Sequence, residues 1–155
     1  MVVIIPRVDH GLLVYIVSPP RGGEAQYCGE LGKIANCQAG VYIGYATEQG
    51  YTLLDRRLYL PEAWLCDEYA EQRERAGIPD EVQFKTKPQL ALQMLSQIRH
   101  TLTAQWVAAD EAFGRSTSFL DGVADMDLYY FAEVPHNTHV WLSRPKIALR
   151  IPLGD

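Results

Sequence analysis

Two aspartates stand where runs of apolar residues predict that buried strands end. Asp110 follows the apolar residues 106–109 and precedes a loop that contains glycine, while Asp9 follows a β-branched run at 2–5. Ligands of open α/β sheets bind beyond the carboxyl ends of strands, so a carboxylate at either position is placed for chemistry. Asp110 or Glu111 could equally cap the turn that follows, and the spacing alone favours neither interpretation.

The chemistry that these aspartates could share is metal binding. If the two predicted strands are neighbours in one sheet, Asp9 and Asp110 meet at the same edge. Mg²⁺ prefers hard oxygen ligands and is typically held by one or two protein carboxylates plus substrate phosphate. A pair of such ions activates the attacking oxygen and stabilises the leaving oxygen in phosphodiester displacement. Both aspartates are therefore candidate metal ligands.

Other polar residues are weaker candidates. His136 and His139 follow Pro135 in a strand-like segment, where their spacing puts them on opposite faces, so we expect surface histidines. Glu133 lies in a predicted strand and is expected to face solvent or a salt bridge. The sequence has neither a P-loop nor a GxGxxG motif.

The elements that must position the aspartates alternate between strands and helices. Residues 9–32 have a poor pattern, with paired prolines and paired glycines, and are predicted to form loop. Thr86 and Gln89 match a capping box that starts a helix, and Pro88 suits its first turn. The order of elements predicts a mixed α/β layer arrangement. Predicted strands cover 1–8, 38–47, 51–60, 105–109 and 128–134, with a helical connection at 61–77 and helices after 86 and over 116–126.

Length and composition indicate one globular domain. The chain has 155 residues, of which 48 % are hydrophobic and 21 % charged. Its net charge of −5 gives no general attraction to nucleic acid, so any DNA contact must come from local basic patches. Taken singly, each candidate patch is more simply read as solvated surface charge. The candidates are Arg56–Arg57, Lys85–Lys87 and Arg144–Lys146–Arg150.

Cysteine usage and the start of the chain indicate a cytoplasmic, soluble protein. Three cysteines form no CxxC pair and leave one unpaired under any disulfide scheme, as in a reducing compartment. The apolar start is short and interrupted by charge, unlike a signal peptide. No apolar run is long enough to span a bilayer, so we expect no membrane partner.

Several segments, in order, resemble insertion-sequence DDE transposases. They are QYCGELGKIANCQAGVYIGYAT at 26–47, LLDRRLYLPEAW at 53–64, AGIPDEVQFKTKPQLALQML at 76–95, WVAADEAFGRS at 106–116 and YYFAEVPHNTHVW at 129–141. The resemblance implies an α/β fold with an RNase H-like mixed sheet flanked by helices, incomplete at the C-terminus. It further implies a partial catalytic domain over 1–145 and a tail outside the family over 146–155.

The resemblance also assigns roles to the two aspartates. Asp110 matches the family's second catalytic aspartate, and Asp9 stands where the first is expected, in a motif resembling V-D-D/E-T-G-F. After Asp9 the chain departs from that motif, yet it keeps the family's length up to Tyr27. A codon run CAC GGG CTT C for residues 10–12 reads ACG GGC TTC, or Thr-Gly-Phe, one base over. A frameshift just after Asp9, restored before Gln26, is therefore our hypothesis.

The resemblance implies metal-dependent cleavage and strand transfer of transposon-end DNA, with Mg²⁺ or Mn²⁺ held by Asp9 and Asp110. The third catalytic residue should be a glutamate in a Y-R-E-K-like context, and nothing in the chain matches it. We therefore expect a truncated copy that is inactive by itself. The alternative is a non-enzymatic remnant that binds DNA or full-length transposase and interferes with transposition. An unrelated α/β binding domain is a third interpretation.

Overall fold

A computed structural model describes residues 10–17, 24–28, 33–139 and 143 of the chain. The strands are β1 (His10–Val17), β2 (Glu24–Cys28), β3 (Lys33–Cys37), β4 (Ala39–Thr47), β5 (Gly50–Tyr59), β6 (Trp106–Ala109) and β7 (Tyr129–Ala132). The helices are α1 (Ala70–Arg75), α2 (Lys87–Ile98), α3 (Glu111–Gly114) and α4 (Thr117–Ala124), with short 3₁₀ helices at Glu62–Leu65 and Asp67–Tyr69.

Five strands form one mixed sheet in the order β5-β4-β1-β6-β7. The pairs β5–β4 and β4–β1 are antiparallel, whereas β1–β6 and β6–β7 are parallel. Strands β2 and β3 pair with each other as a separate antiparallel ribbon. The mixed α/β class predicted from the sequence is confirmed, whereas the RNase H-like assignment stays a prediction.

The segment predicted as loop between Asp9 and Gly32 contains two strands, so that prediction was wrong. β1 occupies His10–Val17 at the centre of the sheet, and β2 occupies Glu24–Cys28. Paired prolines and glycines drew the prediction toward loop, but the apolar run 12–17 is long enough for a strand, and β4 and β6 pair with it on both sides. The strand predicted over 1–8 lies outside the described residues.

The β4–β5 hairpin forms where the sequence predicted it. Glu48 and Gln49 make the turn, and Gly50 follows with a φ of 153°, a conformation that side chains rarely adopt. The Thr47 hydroxyl accepts a hydrogen bond from the Gln49 backbone N–H at 3.2 Å, which ties the turn together. From this turn the pairing of β4 with β5 is regular as far as Gly44, and the register shifts between Gly44 and Ile43.

α2 begins at the predicted capping box. The Gln89 backbone N–H donates to the Thr86 hydroxyl at 3.3 Å, and the Gln89 side chain accepts from the Thr86 N–H at 2.9 Å. The helix packs on β4, β5 and α4. It buries Ala91 and Met94 in the core, as the spacing predicted. The buried residues of this core are Val41, Ile43, Ala91, Met94, Leu95, Ala104, Val107, Ala109, Phe113, Phe119 and Val123.

Candidate active site

The site candidates lie at one edge of the sheet. Because β1, β6 and β7 are parallel, their carboxyl ends point to the same edge. β5 is antiparallel to β4, which is antiparallel to β1, so β5 also ends there, at Tyr59. This carboxyl edge is where ligands bind in open α/β sheets. The sequence prediction that Asp110 stands at a strand's carboxyl end is confirmed, because β6 ends at Ala109.

Asp110 has the capping role that the sequence left open. Its carboxylate oxygen Oδ1 accepts a hydrogen bond from the Ala112 backbone N–H at 3.0 Å, which makes it the N-cap of α3. A carboxylate has about four acceptor positions, so one capping bond leaves capacity for another ligand. Capping and metal binding are therefore compatible at this residue, and the cap fixes the side chain's direction.

Burial and neighbouring charge disfavour the ionised form of Asp110. Desolvation by burial raises the pKa of its carboxyl above the ordinary value, and the charges of Glu133 and Glu111 raise it further. Hydrogen bonds from the backbone of Ala112 and Phe113 act in the opposite direction and are outweighed. A carboxylate held in this way gains from a nearby cation, since a positive charge favours its ionised form.

Glu133 brings a second carboxylate to this edge. It follows β7, and its backbone N–H donates to the Ala109 carbonyl at 3.0 Å, which continues the parallel ladder past the last strand pair. Glu133 is exposed, as the sequence predicted, and its charge is felt by Asp110. Gly114 at the end of α3 allows the backbone of Glu133 to pack closely against that helix, since a Cβ at Gly114 would lie 1.8 Å from the Glu133 carbonyl oxygen.

The pairing of Asp9 with Asp110 stays a prediction, because Asp9 lies outside the described residues. The register of β1 bears on it indirectly. Val14 pairs with Ala109, so the next residues along, Tyr15 and Asp110, are level across the two strands. The eight residues of β1 include neither aspartate nor glutamate. That described strand therefore supplies no carboxylate facing Asp110, and its first residue, His10, lies five residues before the level of Asp110, at the opposite edge of the sheet.

Lys87, from the predicted basic patch Lys85–Lys87, lies at the same edge of the sheet. Lys87 is the first residue of α2, and its Nζ lies 4.8 Å from the centre of the Tyr59 ring. Burial lowers the pKa of Lys87, and the charges of Cys37 and Asp110 partly oppose that shift. Because Tyr59 ends β5, Lys87 lies at the same carboxyl edge as Asp110. The capping box was the signal that could have located it, since it fixes where α2 starts.

The carboxyl edge offers a hard divalent cation only a small number of protein ligands. Asp110 and Glu133 offer carboxylate oxygens, which Mg²⁺ and Mn²⁺ accept. Within the part of the chain that the structure describes, no group of three or more His, Cys, Asp or Glu residues could hold a metal. One or two carboxylates completed by substrate phosphate is nonetheless the usual way in which proteins hold Mg²⁺.

Two remaining expectations concern residues away from this edge. His136 and His139 are exposed, as predicted for surface histidines. Over the described ranges, no helix is both long and apolar enough to cross a bilayer. The basic patch at 144–150 lies outside those ranges.

Comparison with known proteins supplies the family. A model of the DDE superfamily endonuclease family matches residues 21–150, which is 130 of the 155 residues and includes Asp110, Glu133 and Lys87. No curated protein and no solved structure is similar enough to match the chain. The family match confirms the DDE transposase-type resemblance that the segments at 26–47 and 106–116 indicated, and the chain therefore belongs to the DDE superfamily endonucleases.

Proposed function

We propose that this chain is the metal-binding part of a DNA transposase domain, in which Asp110 is the second catalytic aspartate. The substrate is phosphodiester DNA at transposon ends, and the reaction class is metal-dependent cleavage and strand transfer. The observation that carries the proposal is the placement of Asp110, a half-buried carboxylate at the carboxyl edge of a mixed sheet. The family match supports the same reaction class.

Each residue at the edge has a distinct part in this proposal. Asp110 would hold a Mg²⁺ or Mn²⁺ ion, with its cap to Ala112 keeping the carboxylate in place. When bound, such an ion supplies Lewis-acid stabilisation of the charge that develops on the phosphate oxygens. Glu133 adds negative charge beside Asp110, which strengthens the attraction for a cation. Asp9 remains the proposed first aspartate on the basis of the motif alone.

We propose further that the chain does not complete strand transfer by itself. Support comes from the broken motif after Asp9 and from the absence, among the residues that the structure describes, of a group of three His, Cys, Asp or Glu residues that could hold a metal. Loss of one ligand of a metal site costs orders of magnitude in rate, since this chemistry depends on positioning and charge stabilisation. A strand-transfer product that disappears in Asp110→Ala would contradict this proposal.

Metal binding provides the most direct test of the role of Asp110. We expect Mn²⁺ titration, followed by the loss of the free-ion electron paramagnetic resonance signal, to show binding to the parent chain and much weaker binding to Asp110→Asn. Asparagine caps helices about as well as aspartate, so this change removes the charge and keeps the local fold.

Glu111→Gln is the matched control. Glu111 is the next residue along, and its carboxylate forms an ion pair with Arg115 one turn later. We expect its loss to leave Mn²⁺ affinity close to that of the parent. Equal Mn²⁺ affinity in Asp110→Asn and the parent chain would refute the metal-binding role.

A further inference from the structure

Lys87 carries a positive charge in a half-buried position that is unfavourable for a cation. It is half-buried, and it lies in the first turn of α2, where the helix dipole favours negative rather than positive charge. Its ammonium forms neither an ion pair nor a hydrogen bond with any described residue. The Tyr59 ring offers it a cation–π contact, which offsets only part of the cost of burial.

Two neighbouring basic residues, Lys85 and Arg57, are engaged, in contrast. Lys85, two positions earlier, donates to the Gln93 side chain at 2.8 Å. Arg57 forms an ion pair with Asp55 at 2.5 Å and donates to Gln97 at 3.0 Å. Within the basic patch at 85–87, Lys85 therefore already has a hydrogen-bond partner, whereas the Lys87 ammonium is available to an anion.

The topology places Lys87 and Asp110 at the same edge of the sheet, beside different strands. Tyr59, which lies beneath the Lys87 ammonium, ends β5, whereas Asp110 follows β6. β4 and β1 lie between those strands, so their axes are three strand spacings, or about 14 Å, apart. The lysine side chain lies at the same carboxyl edge, because its Nζ is 4.8 Å from the ring of Tyr59, the last residue of β5. A cation and a carboxylate thus lie at the same edge of the sheet without pairing.

We propose that Lys87 binds a non-bridging phosphate oxygen of the DNA backbone beside the metal position of Asp110. The identity of the ligand as DNA rests on the proposed function, while the phosphate-binding role rests on the unpaired cation itself. A lysine ammonium is a compact charge with three donors, which suits contact with a single phosphate. Lys87 would thereby hold the DNA backbone at the sheet edge where Asp110 lies.

The test measures how DNA affinity depends on salt. Fluorescence anisotropy of a short labelled duplex, in EDTA and at several salt concentrations, gives the slope of log K against log salt. Each phosphate contact contributes about 0.9 to that slope. We expect Lys87→Met to reduce the slope by about one contact and to weaken binding about tenfold at low salt. Lys87→Arg should restore most of the slope, because the charge returns.

Lys85→Met is the matched control, since it removes the same charge two residues away. We expect it to change the slope much less than Lys87→Met does, because the hydrogen bond to Gln93 holds the Lys85 ammonium away from direct contact with a phosphate. Equal losses in Lys85→Met and Lys87→Met would show general charge attraction and overturn the inference. An unchanged slope in a folded Lys87→Met protein, or no binding of DNA by the parent chain at low salt, would overturn it as well.

A second measurement needs no substitution and covers the case in which Lys87→Met does not fold. The chain has four lysines, at 33, 85, 87 and 146, so acetylation of each can be followed by mass spectrometry. DNA should protect Lys87 several-fold and leave Lys85 unprotected, and the reverse pattern would contradict the proposal. Because both assays run in EDTA, their failure is distinct from a failure of Mn²⁺ binding at Asp110.

Discussion

Replacing Gly114 with alanine should destabilise the protein by displacing the backbone at Glu133. A Cβ at Gly114 would lie 1.8 Å from the Glu133 carbonyl oxygen and 2.9 Å from its carbonyl carbon. The oxygen must retreat by about 1.6 Å to reach the 3.4 Å at which ordinary contact begins. Since both atoms are backbone, no side-chain rotation can relieve this contact, and the end of β7 has to move.

The cost follows from what that movement breaks. The Glu133 N–H donates to the Ala109 carbonyl at 3.0 Å, and displacement of Glu133 weakens this bond. An unmade buried hydrogen bond costs about 1–3 kcal/mol, and overpacking of a tight site costs about 1–3 kcal/mol. Replacing glycine by alanine in a helix returns about 0.5–1 kcal/mol. We therefore expect a net loss of about 2–4 kcal/mol in the free energy of unfolding.

Urea denaturation followed by circular dichroism measures this loss, and Gly122→Ala is its control. Gly122 also lies in a helix, α4, but a Cβ there would meet the Cδ1 and Cδ2 atoms of Leu92 at 2.8 Å, the movable end of a side chain. We expect Gly122→Ala to stay within about 1 kcal/mol of the parent. If Gly114→Ala is as stable as the parent or as Gly122→Ala, the close approach of α3 and the end of β7 is wrong.

Three further predictions concern the site and the helix beside it. Burial raises the pKa of Asp110, so the folded state holds that proton more tightly than the unfolded state, and stability falls as pH rises from the ordinary value through the raised one. Asp110→Asn should therefore be more stable than the parent at pH 7, and denaturation curves should show this difference in stability shrinking toward pH 4. A difference that grows toward acid would contradict a raised pKa at Asp110. Asp110→Ala should lose about 1 kcal/mol relative to Asp110→Asn, because alanine cannot accept the capping bond from Ala112. Thr86→Ala should lower the melting temperature by about 2–4 °C through loss of the α2 capping box, whereas Thr86→Ser should keep it.

Local signals with a stereochemical basis predicted their elements well. The capping box at Thr86 and Gln89 fixed the start of α2, because each side chain satisfies a backbone N–H that the helix leaves free. Gly50 marked the β4–β5 turn, because its φ of 153° strongly favours glycine. The apolar residues before Asp110 predicted β6, and the position of the carboxylate at its end followed directly.

Pairings that depend on residues far apart in sequence were harder to predict. β1 occupies a segment whose turn-forming neighbours suggested loop, and only its partners β4 and β6 make it a strand. The placement of Lys87 and Asp110 at one edge of the sheet is of the same kind. It depends on α2 beginning at the sheet edge where β6 ends, which no spacing within either segment encodes.

The charges at the carboxyl edge bear on the proposed contact with DNA. With a net charge of −5, the chain as a whole repels a phosphate backbone, so nonspecific binding should be weak and only slightly salt-dependent. Asp110 and Glu133 add to that repulsion locally unless a metal ion is present. Lys87 is a half-buried cation at this edge that forms no ion pair within the described part of the chain. Any attraction for a phosphate at this point would therefore come from the position of Lys87 rather than from the overall charge of the chain.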